Sequence, residues 1–481
     1  MKTLIKIIPR FVVIMLLVLG GRNIEASSLN TSNLHISEKQ NPTFKTGDII
    51  KFNGEYNLSN TILINESNIT IDGLKTDGTL SKLKISKQLP IIKVGQHVSN
   101  ITIKNIILEG TLDTNNPQIN FNESGIMIDT KASDIKINNV QINNSSGYGI
   151  FADLANNIHI DKTNIKNFGY AGFMGFSVEN VEISDSIIDG ALSFNKSSIG
   201  NSTLAYNIAF TRKSDNNLNN YPRSENCIVR DSLIMNNKFW EGLDTHGGKN
   251  ITFKNNTIKN VTKPIAAVPS EVAGEDKFAP QKVEIINNTI EYDSVDFRDI
   301  VQNGIVVSGT IKPKSTTKKY ATGIIKNNTL SGYGNRFAFN GTNLLQTGSI
   351  LIQATEEMQI LDNTIFKSNY HAITLFYDNQ KFLLENNTID GLYVEKERVP
   401  KGKFYPTPSG ISIRSFYNYG HINHNKNSGN NNDPDLKIRG ISLSTTENVH
   451  VTAKNNYFDQ YILLPYYKMR FDTKNSQYVS I

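Results

Sequence analysis

A short phrase, alternating apolar residues followed by Asn, returns along almost the whole chain, and it restricts the fold more tightly than any other feature. It reads NITIKNIIL from Asn100, DIKINNVQI from Asp134, NIHIDKTNI from Asn157, NVEISDSII from Asn180 and NITFKNNTI from Asn250. Later copies include KVEIINNTI from Lys282, MQILDNTIF from Met358 and KFLLENNTI from Lys381. Several intervals are 23 or 24 residues, and the longer ones suit loops inserted into a fixed rung. A second phrase, a small residue and then Ile-x-apolar, sits between the copies, as in GIMID (125–129), GIFAD (149–153) and GLDTH (242–246). Both phrases have period two, which argues strands rather than helices. Two strands per repeat are explicit, and the repeat length leaves room for a third. Three strands per turn, with apolar side chains stacked inward and Asn at the bends, predict an all-β fold, a right-handed parallel β-helix. Asn suits such bends because it tolerates left-handed backbone and its amide can bond to the next rung. The many Asn-x-Thr/Ser triplets are therefore read as structural rather than as glycosylation acceptors.

Length alone would suggest about three domains. The repeats instead make the 481 residues one solenoid of about eleven or twelve rungs, roughly 50–60 Å long. Residues 98–456 carry the repeats, 27–97 supply the N-terminal cap and first rungs, and 457–481 form the C-terminal cap. Both ends need cover, since an open rung templates edge pairing. Ahead of them, Lys2, Lys6 and Arg10 precede an apolar run (11–19) and a small residue at Ala26. That order describes a signal peptide over 1–26, with an uncleaved anchor as the alternative, and implies a secreted, extracellular protein without stable membrane insertion. Cleavage would lower the formal charge from +6 to +3. So small an excess favours an acidic polymer over a basic one as partner, and no nucleic acid is expected. Oligomeric state is left open by the pattern. The single cysteine, Cys227, excludes a disulfide framework and Cys-clustered metal sites. It falls at the apolar start of a rung phrase and is expected in the core.

The second phrase also sets a register. After the Gly, the first and third residues face the core and the second and fourth face outward. Outward pairs include Ala209/Thr211, Asp244/His246 and Ala266/Val268, and only one rung sets a carboxylate beside an imidazole. Its small flanks leave room for a bound chain. The only Trp, Trp240, precedes it, with Glu241 next to it. Insertions at 212–225, 269–281 and 309–322 leave the same strand end in neighbouring rungs and should wall a cleft. They carry Arg212, Lys213, Tyr221 and Glu271, among other polar residues. The plainer alternative is a solvated strand whose His caps a loop. No metal ligands are assigned at this rung. Elsewhere Asp129 and Asp153, on adjacent rungs, offer oxygen ligands that make Ca²⁺ the one conceivable cofactor, or they are simply exposed acids.

With these residues in place, the chain resembles the pectate-lyase-like superfamily of right-handed β-helix proteins over nearly everything after the signal segment. Members are mostly lyases, hydrolases and epimerases of polysaccharides. Glu241-Gly242-Leu243-Asp244-Thr245-His246 is similar to the Tyr-Gly-Phe-Asp-Pro-His signature of mannuronan C5-epimerases. The resemblance implies that Asp244 and His246 are catalytic. The signature Tyr is Glu241 here and the Pro is Thr245, so Tyr206 or Tyr221 would have to supply a phenol if the fold brings one close.

Abstracting a proton beside a carboxylate needs a base with pKa near neutrality and cations for the developing enolate. His246 fits as base or acid, Asp244 as its orienter, and Arg212 or Lys263 as carboxylate neutraliser. Trp240, Glu241, Lys263, Tyr221 and Lys213 are assigned to substrate binding. A hydrolase would instead pair Asp244 with Glu241, Asp215 or Glu271, although Glu241 should lie before the outward register. The expectation is a secreted polysaccharide lyase or C5-epimerase acting on an acidic polysaccharide. A glycoside hydrolase and a non-catalytic glycan-binding adhesin are the alternatives.

Overall fold

A computed structural model of the chain describes residues 23–25, 44–196, 203–213, 217–272, 275–293, 302–310, 319–334, 348–393, 408–414, 417–427, 439–443, 449–458, 469–472 and 477–480. Among them are short strands that pair parallel, each with the strand one turn later. Ile135 lies over Ile158, Ile158 over Val181, Val181 over Cys227 and Cys227 over Ile251. Each turn contributes three strands, as Ser133–Ser145 followed by Tyr148–Asp153 illustrates where the first of these spans two faces of the rung. The architecture is the expected right-handed parallel β-helix.

Inward positions build one continuous core in which Ile and Val stack on Ile and Val from rung to rung. Like shapes repeat at the strand spacing of about 4.8 Å, so each side chain is buried by the copies above and below it. Cys227 is in this core, where burial pushes its thiol up to about 12 and leaves it unreactive. At the far end Met469–Asp472 and Gln477–Ser480 pair antiparallel, and the latter also pairs against Val449–Lys454. Residues 1–22 and 26–43, which hold most of the expected signal segment, lie outside the described residues, as do 459–468.

Asn does two separate jobs at the bends. One set adopts left-handed backbone, including Asn157, Asn180, Asn255 and Asn287, and several bond amide to amide across rungs, as Asn180 does to Asn157 at 3.1 Å. A second set forms an internal ladder through the buried Asn256, Asn288, Asn328, Asn363, Asn387 and Asn425 and ends on the half-buried Asn456. In each step the side-chain Nδ2 donates to the Oδ1 of the next rung, at 2.9–3.1 Å. The same Oδ1 also accepts a backbone N–H, as Asn328 Oδ1 does from Asn288 N at 3.0 Å. Six buried amides and the half-buried Asn456 thereby satisfy one another and the bend they sit in, which removes the penalty of burying them.

Candidate active site

The strand Leu233–His246 turns a corner of the rung before it reaches the outward face. The corner is organised by Asn237, which is completely buried. Its Nδ2 donates to the carbonyls of Ala205 (2.9 Å) and Glu241 (3.0 Å), and its Oδ1 accepts from the backbone N–H groups of Phe239 and Trp240. Pairing with the next turn is irregular between Asn237 and Glu241 and resumes with Glu241 opposite Lys263. This irregularity re-aims one residue. Glu241, expected before the outward register, instead stands on the outward face beside Asp244 and His246. The simple period-two count missed it because the corner takes extra residues. At Gly242 a Cβ would come within 2.6 Å of the Pro264 carbonyl, so a glycine is required for the two rungs to close together here.

Three outward columns result. Tyr206, Glu241 and Lys263 are in register in the first, Ala209, Asp244 and Ala266 in the second, and His246 lies over Val268 in the third. His246 Nε2 is 3.4 Å from Asp244 Oδ1 and 4.0 Å from Glu241 Oε2. Lys263 Nζ binds Glu241 Oε1 at 2.8 Å and sits 3.9 Å from the centre of the Trp240 ring. Asp244 is 1% exposed, yet both of its carboxylate oxygens, Glu241 Oε2 and His246 Nε2 have no hydrogen-bond partner. A buried carboxylate with two unsatisfied oxygens is costly unless something else binds it.

The electrostatics follow from this crowding. Burial disfavours ionised Glu241, but the Lys263 ammonium and His246 outweigh it and hold the carboxyl down at about 2. Burial likewise opposes a charged His246, but the Asp244 and Glu241 carboxylates raise it to about 9. Burial pushes the Asp244 carboxyl upward against the pull of His246, with Glu241 adding repulsion. Asp244 and His246 are close enough to titrate as one unit. Two phenols border them. Tyr206 and Tyr170 both feel the Glu241 and Asp244 charges, and with burial this keeps Tyr170 protonated up to about 12 and Tyr206 well above its usual range. The fold has therefore brought Tyr206 close, and Tyr170 joins it although nothing in the motif marked it.

Among the described residues, Glu241, Asp244 and His246 are the group whose donor atoms could converge on a metal ion, all lying within 4.8 Å of one another. Lys263 already places a positive charge on Glu241, in the position a cation would need to neutralise. At Asp129 and Asp153, the pair expected to offer oxygen ligands for Ca²⁺, each acid carries its own lysine. Asp129 pairs with Lys93 at 3.0 Å and Asp153 with Lys213 at 2.7 Å, and Asp153 is buried rather than an exposed acid. Neither is a bare oxygen ligand.

The remaining predicted residues lie in the walls. Lys213 Nζ bridges Asp153 and the Tyr221 hydroxyl (2.9 Å), tying the 212–224 loop down onto the rungs. Arg212 is buried and donates from Nε to the Tyr221 carbonyl at 2.6 Å, beside the Phe278 ring. Its observed anchor is thus the loop. The 269–280 insertion forms a hairpin, Ser270–Val272 with Glu275–Phe278, that folds against Gly247 just after His246. Gly247 has a left-handed φ of 70°, and a Cβ there would sit 2.7 Å from Phe278 Cβ, so no larger residue fits beneath the hairpin. Asp215 and the side chains of Glu275, Asp276 and Lys277 lie outside the described residues. A cavity of about 590 Å³ beside Phe278 is lined by Arg223, Lys249, Lys319 and Tyr320 and does not include the Asp244 cluster.

Residues 124–290 match the family model of the right handed beta helix region. Among solved structures, the Agl-KA catalytic domain is 17% identical, with a TM-score of 0.50 over 84% of this chain and 62% of its own. The chain thus spans less than two thirds of that domain's length. The catalytic domain of a GH87 alpha-1,3-glucanase in complex with tetrasaccharides is 12% identical (TM-score 0.45, 89% of this chain and 69% of that one). The A-module of the Azotobacter vinelandii mannuronan C-5 epimerase AlgE6 is also 12% identical (TM-score 0.43, 85% and 90%). No curated protein matches the sequence. At these identities the likeness is one of fold.

Proposed function

We propose that the chain is a secreted enzyme acting on an acidic polysaccharide, and that it removes the proton next to a uronate carboxylate, as a lyase or a C5-epimerase. The observation that carries this reading is the outward Asp244–His246 pair, 3.4 Å apart, with the Asp244 carboxylate buried and bound by no hydrogen bond, His246 half-buried, and phenols and a lysine alongside. Asp244 is a better base than an ordinary carboxylate because burial raises its pKa. It takes the C5 proton, while the His246 imidazolium stabilises negative charge as it develops on the sugar carboxylate. Lys263, fixed by Glu241 and Trp240, adds a second cation, while Arg212 holds the loop wall. In elimination the electron pair left at C5 forms the C4–C5 double bond, the C4–O bond breaks, and the leaving oxygen is protonated by the Tyr206 phenol. In epimerisation the same phenol returns a proton to C5 from the opposite face.

The hydrolase alternative has one observation in its favour: Glu241 and Asp244 are driven apart in pKa, as an acid–base pair requires. Against an inverting hydrolase, which needs about 6.5–9.5 Å between its carboxyl groups, one oxygen of each lies within 4.8 Å of the other. Both carboxylates also sit on one strand rather than across a bound chain. Incubation with uronate and neutral polysaccharides separates the readings: ultraviolet absorbance for unsaturated ends, proton NMR for inverted sugars, reducing ends for hydrolysis. Products of elimination or inversion that vanish in His246→Ala support the proposal. Reducing ends without unsaturation, or glycan binding with no product at all, would refute it.

A pH dependence follows from His246. Its pKa is raised from 6.5 to about 9, so the imidazolium and the stability it contributes are fully present below pH 6.5 and are lost as pH rises through about 9. The rate should show an alkaline limb near pH 9, and thermal melts should weaken over the same interval. His246→Gln should abolish that alkaline dependence of the melts. A rate that stays level well past this point would show that the imidazolium is not used.

A further inference from the structure

On the N-terminal side of the Asp244 rung the outward face is covered by aromatic rings in unbroken contact. Tyr206 meets Tyr170 at 5.6 Å between centroids, Tyr170 meets Tyr148 at 5.8 Å, and Tyr148 meets Phe151 at 4.9 Å. Phe151 then meets Phe176 at 5.4 Å, and Phe121, 48% exposed, reaches over Tyr170 at 5.1 Å from the neighbouring loop. Three rung steps separate Glu241 from Tyr148, through Tyr206 and Ala171, which is about 14 Å along the helix axis. On the C-terminal side the corresponding outward positions are Ala266, Val306 and Leu351, with no ring among them.

We propose that this strip is the binding track for the glycan on one side of the reactive sugar, holding several consecutive sugar rings by stacking rather than by ion pairing. The inference rests on the glycan reading of the Asp244 site. Three observations select a glycan as the occupant. The strip is continuous with the candidate site, since the phenols of Tyr170 and Tyr206 border its carboxylates. Its ionic groups are already paired, Asp129 with Lys93 and Asp153 with Lys213, so it offers no charge to an acidic or basic peptide. The half-buried Tyr170, Phe151 and Phe176 rest on the buried Tyr148 and Tyr206 and, with the exposed Phe121, set apolar ring surface beside hydroxyl groups, matching the C–H faces and equatorial hydroxyls of pyranose rings. The loop carrying Lys213 and Tyr221 is pinned to the strip at Asp153, giving the track a fixed wall.

The test titrates oligomannuronates and oligogalacturonates of graded length into full-length protein by calorimetry, in an Asp244→Asn background that stops chemistry. Phe151→Leu/Phe176→Leu keeps apolar volume but removes the π faces, and Phe121→Ala changes an exposed ring without touching the core. The long oligomers should bind about fivefold or more weakly to these variants, while the shortest are unaffected. Glycan binding that is equal in variants and parent at every length overturns the strip and leaves the Asp244 reading standing. Strip-dependent binding in a protein whose parent form turns over no glycan supports the track and sinks the enzymatic reading. No binding of any oligomer overturns both.

Discussion

Asn328→Ala should destabilise the solenoid by about 2–6 kcal/mol, as should the same change at the equivalent ladder positions Asn288, Asn363 and Asn387. Asn328 Oδ1 accepts from both the backbone N–H and the side-chain amide of Asn288, and its Nδ2 donates to Asn363 Oδ1 and the Ile285 carbonyl. All of these partners are buried, so alanine leaves several donors and acceptors with neither protein nor water. Because each rung contacts only its neighbours, the damage should appear as an early, partial transition in denaturant melts rather than as a uniform shift. Hydrogen exchange should place that early opening in the rungs around residues 285–363. A melt indistinguishable from wild type would mean that the ladder contributes packing only.

Asp244→Asn should abolish turnover by about 10²–10⁴-fold while leaving the melting transition in place. The amide has the same shape and sits among the same neighbours, but it cannot accept the substrate proton. It also removes the buried carboxylate that holds His246 charged, so the imidazole should return toward its ordinary range. Kinetics with an NMR titration of the His246 ring checks both halves. Full activity in the variant would remove Asp244 from the reaction altogether.

The fold was legible because a solenoid writes its contacts locally. Each Ile in NIHIDKTNI and NVEISDSII packs on its counterpart one turn away, so the repeat in sequence is the repeat in space. The register was legible by the same logic at Leu243, Asp244, Thr245 and His246, where strict alternation holds: Thr245 faces inward and donates to the Phe210 carbonyl, while Asp244 and His246 face out. It failed at Glu241. The corner at Asn237 adds residues that no two-residue period accounts for, and only the buried Asn237 amide, bonded to both sides of the bend, reveals how the chain turns.

The buried Asn ladder was hidden in plain sight. The recurring Asn-Asn-Thr triplets hold two different roles: the first Asn bends the backbone left-handed and the second is the ladder member, as in Asn287 and Asn288. The doublet itself was the available signal. Tyr170 and the aromatic strip were less accessible, because their rings come from positions before, within and between strands and meet only after the rungs stack. The loop lysine was assigned to substrate, but its partner Asp153 lies 60 positions earlier in the chain. Ion pairs between a rung and an inserted loop leave no periodic trace.

The central step is a proton leaving a sugar carbon at the Asp244–His246 pair. The most direct test is proton NMR of a uronate polysaccharide incubated with the protein in deuterated water. The H5 signal should disappear, either with new vinyl signals if the chain is cut by elimination or with deuterium at C5 of inverted sugars, and both changes should be absent with Asp244→Asn. Polysaccharide that is shortened while every H5 signal persists, or that is returned unchanged by the active-site parent, would contradict it.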